Sequence, residues 1–155
     1  MTEVAEDEEV SFGAVTVRAT RAEHDGRRRP GRITAAPLGF AISGSRQIYF
    51  AGDTDLFPGM EGLVPNLDLA LIPIWGWGAT LGGGGHLDPR RAAEALRLLR
   101  PRVAVPIHWG TYRPLHHGAD AAFLADPAET FAREAATAAP EVQVRVLRPG
   151  EHLAL

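Results

Sequence analysis

The sequence predicts a mixed α/β fold, a β-sheet with its helices gathered on one side. Three observations carry that expectation. Short runs of strand character come first and pair as a hairpin. Two later runs, DLALIPI and VAVPI, are almost wholly apolar, as in strands covered on both faces. Two stretches of helical pattern stand between and after them, each announced by Asp-Pro. With 155 residues, 45% hydrophobic and 23% charged, the chain is sized for one ordinary domain.

Residues 1–9 are expected to form an acidic, flexible lead-in, and residues 10–155 the domain. Residues 12–20 (FGAVTVRAT) alternate around Val15 and Val17 and read as one half-buried strand. A polar loop follows, from His24 to Arg32. Residues 38–43 and 47–51, separated by Gly44-Ser45-Arg46, read as a β-hairpin whose second strand stops at Gly52-Asp53-Thr54-Asp55. Residues 68–74 make a buried strand, and a glycine-rich loop from Trp75 to Gly85 carries the chain to His86. Asp88 suits an N-cap and Pro89 the first helical position. That helix is expected to run to about Leu99, with Ala92, Ala95, Leu96 and Leu99 on one face. Residues 103–107 form another buried strand, placed at an edge or ended in a bend because Pro106 offers no N–H. Asp126-Pro127 opens a second helix through Ala139, and residues 142–147 close the chain as a strand.

Composition excludes several chemistries. The chain has no cysteine, so disulfides, iron–sulfur ligation, thiolate zinc sites and cysteine nucleophiles are all ruled out. It also has no lysine, which excludes a P-loop and Schiff-base catalysis. A net charge of -3 gives no overall positive field for nucleic acid or an anionic membrane. No apolar run approaches the ~20 residues of a membrane span. The acidic start lacks the features of a secretory signal, so the cytoplasm is the expected compartment.

Four residues stand where α/β folds build sites, at strand ends and helix starts. Asp53 follows IYFAG, His108 follows VAVPI, His24 lies just beyond VTVRAT, and His86 sits before the first helix. Imidazole nitrogens and a carboxylate oxygen suit zinc, and also manganese or iron. Each residue has a plainer reading as well. Asp53 can close an Asx turn, His108 can be a satisfied half-buried histidine, and His24 can be an idle loop residue. His86 can serve a site mouth, donating to substrate or to a developing oxyanion, or can help to cap the helix. The loop GWGATLGGGG reads as a lid or as a connector, and without Lys or a following Ser/Thr it is no phosphate cradle. Arg27-Arg28-Arg29 reads as a solvated turn before it reads as a phosphate contact. His116, His117 and His152 read as surface residues.

Laid out in order, these stretches resemble the metallo-β-lactamase superfamily, in its lactonase- and phospholipase-like branch of metal-dependent hydrolases. The matching segments are RAEHDGRR, IYFAGDTDLFPG, LDLALIPIWGWG, GHLDP and VAVPIHWGT, from about residue 10 onward. The resemblance implies an αββα sandwich of which this chain is the second half. It implies His24, Asp53 and His108 as metal ligands, with Asp53 bridging two ions where two are bound, and His86 on the substrate side. It further implies attack by a metal-bound hydroxide on an ester, lactone or phosphodiester.

One departure qualifies this. The family's His-x-His-x-Asp-His motif lies upstream of every matched segment, and this sequence contains no copy. The three ligands left make at most one open site, so weak metal binding and little turnover are expected. An apolar sheet face is expected to lack its cover, which favours homodimerisation, a chain supplying the other half, or poor solubility. The competing reading is a non-catalytic remnant or interaction subunit of a split or truncated metallo-hydrolase. Nucleic-acid processing rests on the arginine run alone and is the weakest of the three.

Overall fold

The computed structural model describes residues 3–24, 36–75, 85–111 and 122–155. Among these, seven strands form one sheet in chain order: β1 (Glu9–Phe12), β2 (Val15–Arg21), β3 (Leu38–Ser43), β4 (Gln47–Phe50), β5 (Leu69–Pro73), β6 (Val103–Ile107) and β7 (Gln143–Val144). β1 to β4 pair antiparallel, and β4 to β7 pair parallel. Helix α1 (Pro89–Leu99) joins β5 to β6, and α2 (Ala122–Ala138) precedes β7. The mixed sheet with helices on one side is the predicted architecture.

Two successive antiparallel pairings return the chain to its starting direction. β2, β4, β5 and β6 therefore run the same way, and their C-terminal ends share one rim. One sheet face carries Ala41, Tyr49, Ala70, Ile72 and Ala104, packed against Ala92, Ala95, Leu96 and Leu99 of α1 and Phe131 and Ala135 of α2. The alanines let the helices lie close to the sheet, and Tyr49, Phe131 and Met60 fill the space that remains.

The opposite face carries two largely apolar rows. Val10, Val17, Ile42, Ile48, Leu69 and Val103 align across six strands, and Phe40, Phe50, Leu71 and Val105 form the next row. The segment after β7 covers part of it: Leu147, Leu153 and Leu155 pack on Leu69, Val103 and Val105. Arg46 Nη2 fastens the tail by donating to the backbone oxygen of Leu155 at 3.2 Å. Toward β1 the face is barer, with Phe12 66% and Val15 39% exposed.

Three elements depart from expectation, and the open reading of a fourth, β6, is decided. Residues 12–20 are not one strand. Gly13 adopts φ +62°, and the chain folds there into the β1–β2 hairpin, Phe12 facing Val15. The acidic stretch is drawn into this edge, since Asp7 N–H donates to Ala19 O and Ala19 N–H to Glu8 O, both at 2.9 Å. Of the two readings of β6, the bend holds and the edge does not: the strand lies inside the sheet and ends in a bend at His108, and β7 pairs only with Val103 and Ala104. Pro106 thus faces a ladder on the β5 side alone, which is how the sheet tolerates its missing N–H. α2 begins at Ala122 and carries Pro127 inside it instead of opening at Asp126. The last expected strand, 142–147, is reduced to two residues, after which the chain leaves the ladder to cross the apolar face.

Candidate metal centre

The shared rim brings the four predicted residues into one neighbourhood. His24 leaves β2, Asp53 leaves β4 one residue past Gly52, His86 lies just ahead of α1, and His108 ends β6. His108 Nε2 stands 3.5 Å from Asp53 Oδ1. The His24 and His86 rings meet edge to face with centroids 4.5 Å apart, and His86 stacks on His108 at 6.0 Å. His86 is thus the middle member of a row of three imidazoles, and the Asp53 carboxylate sits at the His108 end.

Local backbone geometry sets each position. Gly52 has φ +64°, and a Cβ there would lie 2.5 Å from the Leu38 carbonyl oxygen, so only glycine delivers the chain to Asp53. His108 adopts φ +58°, a left-handed conformation that is uncommon for a residue with a side chain and that gathers at functional positions. On either side the chain is held by Ile74 N–H donating to Ile107 O at 3.2 Å and by Trp109 Nε1–H donating to Pro106 O at 3.0 Å. The helix-capping reading of His86 does not hold, because Asp88 caps α1 by accepting from Arg91 N–H at 2.8 Å.

Electrostatics favour a neutral ring at the centre. Burial first, and the adjoining His24 next, hold the His86 pKa below the usual histidine value, with His108 adding to the effect and Asp53 and Asp55 opposing it. His24 Nδ1 lies 2.8 Å from the Gly85 carbonyl oxygen. A carbonyl only accepts, so Nδ1 carries a proton in this contact, and in the neutral ring the lone pair then lies on Nε2.

Two residues that the sequence reading passed over tie the rim together. Thr54 is fully buried; its hydroxyl accepts from Glu23 N–H at 2.9 Å and its carbonyl from Leu87 N–H at 2.9 Å. Asp55 N–H donates to Glu23 O at 2.7 Å, and the Asp55 carboxylate accepts from Gly85 N–H, Leu56 N–H and Arg91. The GDTD motif therefore knots three loops. The available signal was Asp53 itself, since its two neighbours leave the same strand end.

In kind, three imidazoles and a carboxylate are the donors a first-row transition metal takes. In number they fall short: among the described residues, no three His, Cys, Asp or Glu side chains gather closely enough to hold an ion. His152 is exposed, as expected. Arg27–Arg29, His116, His117 and the lid reading of residues 76–84 lie outside the described residues. No helix among the described residues is long and apolar enough to cross a membrane.

Comparison with known proteins adds lineage to this geometry. A family model described as a beta-lactamase superfamily domain matches residues 1–109, which include all four residues of the rim. A UPF0173 protein of Pyrococcus furiosus is 33% identical over 149 residues, covering 96% of this chain and 59% of that protein. A UPF0173 metal-dependent hydrolase of Pelotomaculum thermopropionicum is 34% identical over 152 residues, covering 94% of this chain and 59% of its own length. Among solved structures, Igni18, a metallo hydrolase from Ignicoccus hospitalis, superposes with a TM-score of 0.70 at 28% identity, over 97% of this chain and 58% of that one. The metallo-beta-lactamase fold protein YhfI of Bacillus subtilis shares the fold, with a TM-score of 0.66 at 15% identity over 95% of this chain and 52% of its own. The chain thus spans between half and three-fifths of the length of these relatives. The family model over residues 1–109 and relatives about one-third identical along nearly the whole chain agree with the fold and its histidine-bearing rim: this chain belongs to the metallo-β-lactamase superfamily.

Proposed function

We propose that this chain contributes one half of a metal-dependent hydrolase acting on a small ester, lactone or phosphodiester. The observation that carries the reading is the convergence of His24, Asp53, His86 and His108 on one sheet rim, with His108 3.5 Å from Asp53. His24, Asp53 and His108 are the proposed ligands, and zinc the proposed metal, with manganese or iron as alternatives that the same donors accept. A bound ion would supply Lewis acidity and bring the pKa of water toward neutrality. His86, whose pKa burial lowers, is the proposed substrate-side residue, donating a hydrogen bond to substrate or to a developing oxyanion.

The domain is proposed to comprise residues 10–155, equivalent to the second half of an αββα sandwich. Relatives that extend well beyond the matched region, together with the apolar face opposite the helices, support this. The proposed occupant of that face is a polypeptide supplying the other half, including the absent His-x-His-x-Asp-His motif; a second copy of this chain is the alternative. The cytoplasm is the proposed compartment.

A second reading, a non-catalytic remnant or interaction subunit, is favoured by one observation: no three candidate ligands gather among the described residues. Elemental analysis of the purified chain, with generic ester and phosphodiester assays before and after adding a polypeptide bearing the missing motif, separates the two. Metal uptake and turnover that rise on complementation support the hydrolase. Complex formation without metal or turnover supports the remnant.

A further inference from the structure

We propose that Asp55, acting with Arg91, is a positioning residue that sets the tautomer and orientation of His24; the inference rests on reading His24 as a metal ligand. The Asp55 side chain is only 14% exposed and uses both oxygens. Oδ1 accepts from Leu56 N–H at 2.7 Å and from Arg91 Nε and Nη2 at 2.8 and 2.7 Å. Oδ2 accepts from Gly85 N–H at 3.2 Å. The same Gly85 residue offers its carbonyl oxygen to His24 Nδ1–H at 2.8 Å. Gly85 is held at both ends, its N–H by a carboxylate and its carbonyl by an imidazole.

The arrangement reads outward from α1 to the rim. The Arg91 guanidinium, in the first turn of the helix, holds the Asp55 carboxylate through two nitrogens on Oδ1 and leaves Oδ2 to Gly85. Asp55 fixes the Gly85 N–H, and Gly85 takes φ +91°, which a side-chain-bearing residue would resist. The Gly85 carbonyl then takes the proton-bearing nitrogen of His24. A neutral imidazole protonated on Nδ1 has its lone pair on Nε2, the atom left to bind an electrophile. A carbonyl or carboxylate partner on the second nitrogen is how metal-binding histidines are generally oriented. Here the support reaches the ring through a backbone residue anchored by an ion pair, and it spans the loop after β4, the segment before α1 and the loop after β2. Because His86 is the next residue after Gly85, and its ring meets that of His24 at 4.5 Å, the clamp also sets the central imidazole.

Chain labelled with 15N-histidine tests this without metal or turnover. Long-range 1H–15N spectra should show metal-free wild type with His24 in the Nδ1–H form. In Asp55→Asn and in Arg91→Gln, the latter changing a half-exposed helix residue, the His24 signals should move toward a mixture of tautomers. The His108 signals should stay in place, which reports an intact fold. Cobalt titration should then show roughly tenfold or greater weakening in both variants. A His24 ring that keeps its Nδ1–H form in both variants overturns the proposal, as does unchanged cobalt affinity in a wild type that binds cobalt. If wild type binds no cobalt even when a polypeptide bearing the missing motif is supplied, the ligand reading of His24 fails, and the tautomer result alone decides the role of Asp55.

Discussion

At Gly52 the strand end and the rim impose opposite demands on one residue. The backbone is left-handed there, and a Cβ would press to 2.5 Å from the Leu38 carbonyl, so Gly52→Ala must move either β3 or Asp53. Such a change is expected to cost about 2–4 kcal/mol, the left-handed penalty plus the clash, read by urea denaturation. Tyr49 is a different case. Its ring is buried and its hydroxyl makes no hydrogen bond of good geometry, lying near a Thr20 hydroxyl that is likewise unpaired. Burial pushes the Tyr49 phenol up to about 12, with the Thr20 hydroxyl acting in the opposite direction. Unfolded, the phenol ionises near 10.0. The unfolded state therefore loses its proton first as pH rises. The contribution of the neutral phenol is intact below the unfolded value and disappears between there and the folded value, a loss of roughly 2–3 kcal/mol. Tyr49→Phe should leave stability at pH 8 within about 1 kcal/mol of wild type and flatten the loss above pH 10. Denaturation curves at the two pH values check this; equal alkaline losses in the two proteins would count against it.

Among the elements, α1 was the most legible, because its N-cap, its proline and its apolar face all agree. Asp88→Ala removes the bond to Arg91 N–H and should cost about 1 kcal/mol, measured as a fall in the urea midpoint. The β3–β4 hairpin and the buried runs at β5 and β6 were legible for the same reason: local pattern and tertiary environment agree there. The elements that escaped reading depend on partners distant in sequence. Nothing local to FGAVTVRAT states that Gly13 will turn instead of continuing the strand. β7 is short because the tail that follows serves Leu69 and Val103, contacts invisible in a window of neighbouring residues. Pro127 marks a helix start by rule, but α2 begins five residues earlier. At the site, residues 24, 53, 86 and 108 could be picked out because each sits where a strand ends or a helix begins. Their grouping was legible through the family resemblance; on the residues alone it stayed conditional, because it depends on β2 pointing the same way as β4 and β6. Asp55 and Arg91 were illegible for a further reason: a carboxylate in a turn and an arginine on a helix look alike whether solvated or paired.

For the whole molecule, the governing asymmetry is between a helix-covered face and an apolar face that the tail only partly covers. Contiguous apolar surface of this kind favours association. The chain alone is expected to self-associate on light scattering coupled to size separation, and a monodisperse, stable monomer would argue against the proposed occupant of that face. Under the proposed function, adding a polypeptide that bears the His-x-His-x-Asp-His motif should remove the self-association and raise metal affinity together, because one segment would supply both the cover and the further ligands. The rim's claim to be a metal centre is tested most directly by cobalt absorption titration of the chain and of His24→Ala, Asp53→Ala and His108→Ala. The account predicts weak binding of a single ion with nitrogen- and oxygen-ligand absorption, reduced by each substitution separately. Cobalt spectra and affinity unchanged by all three substitutions, or no cobalt binding even when the missing half is supplied, would contradict it.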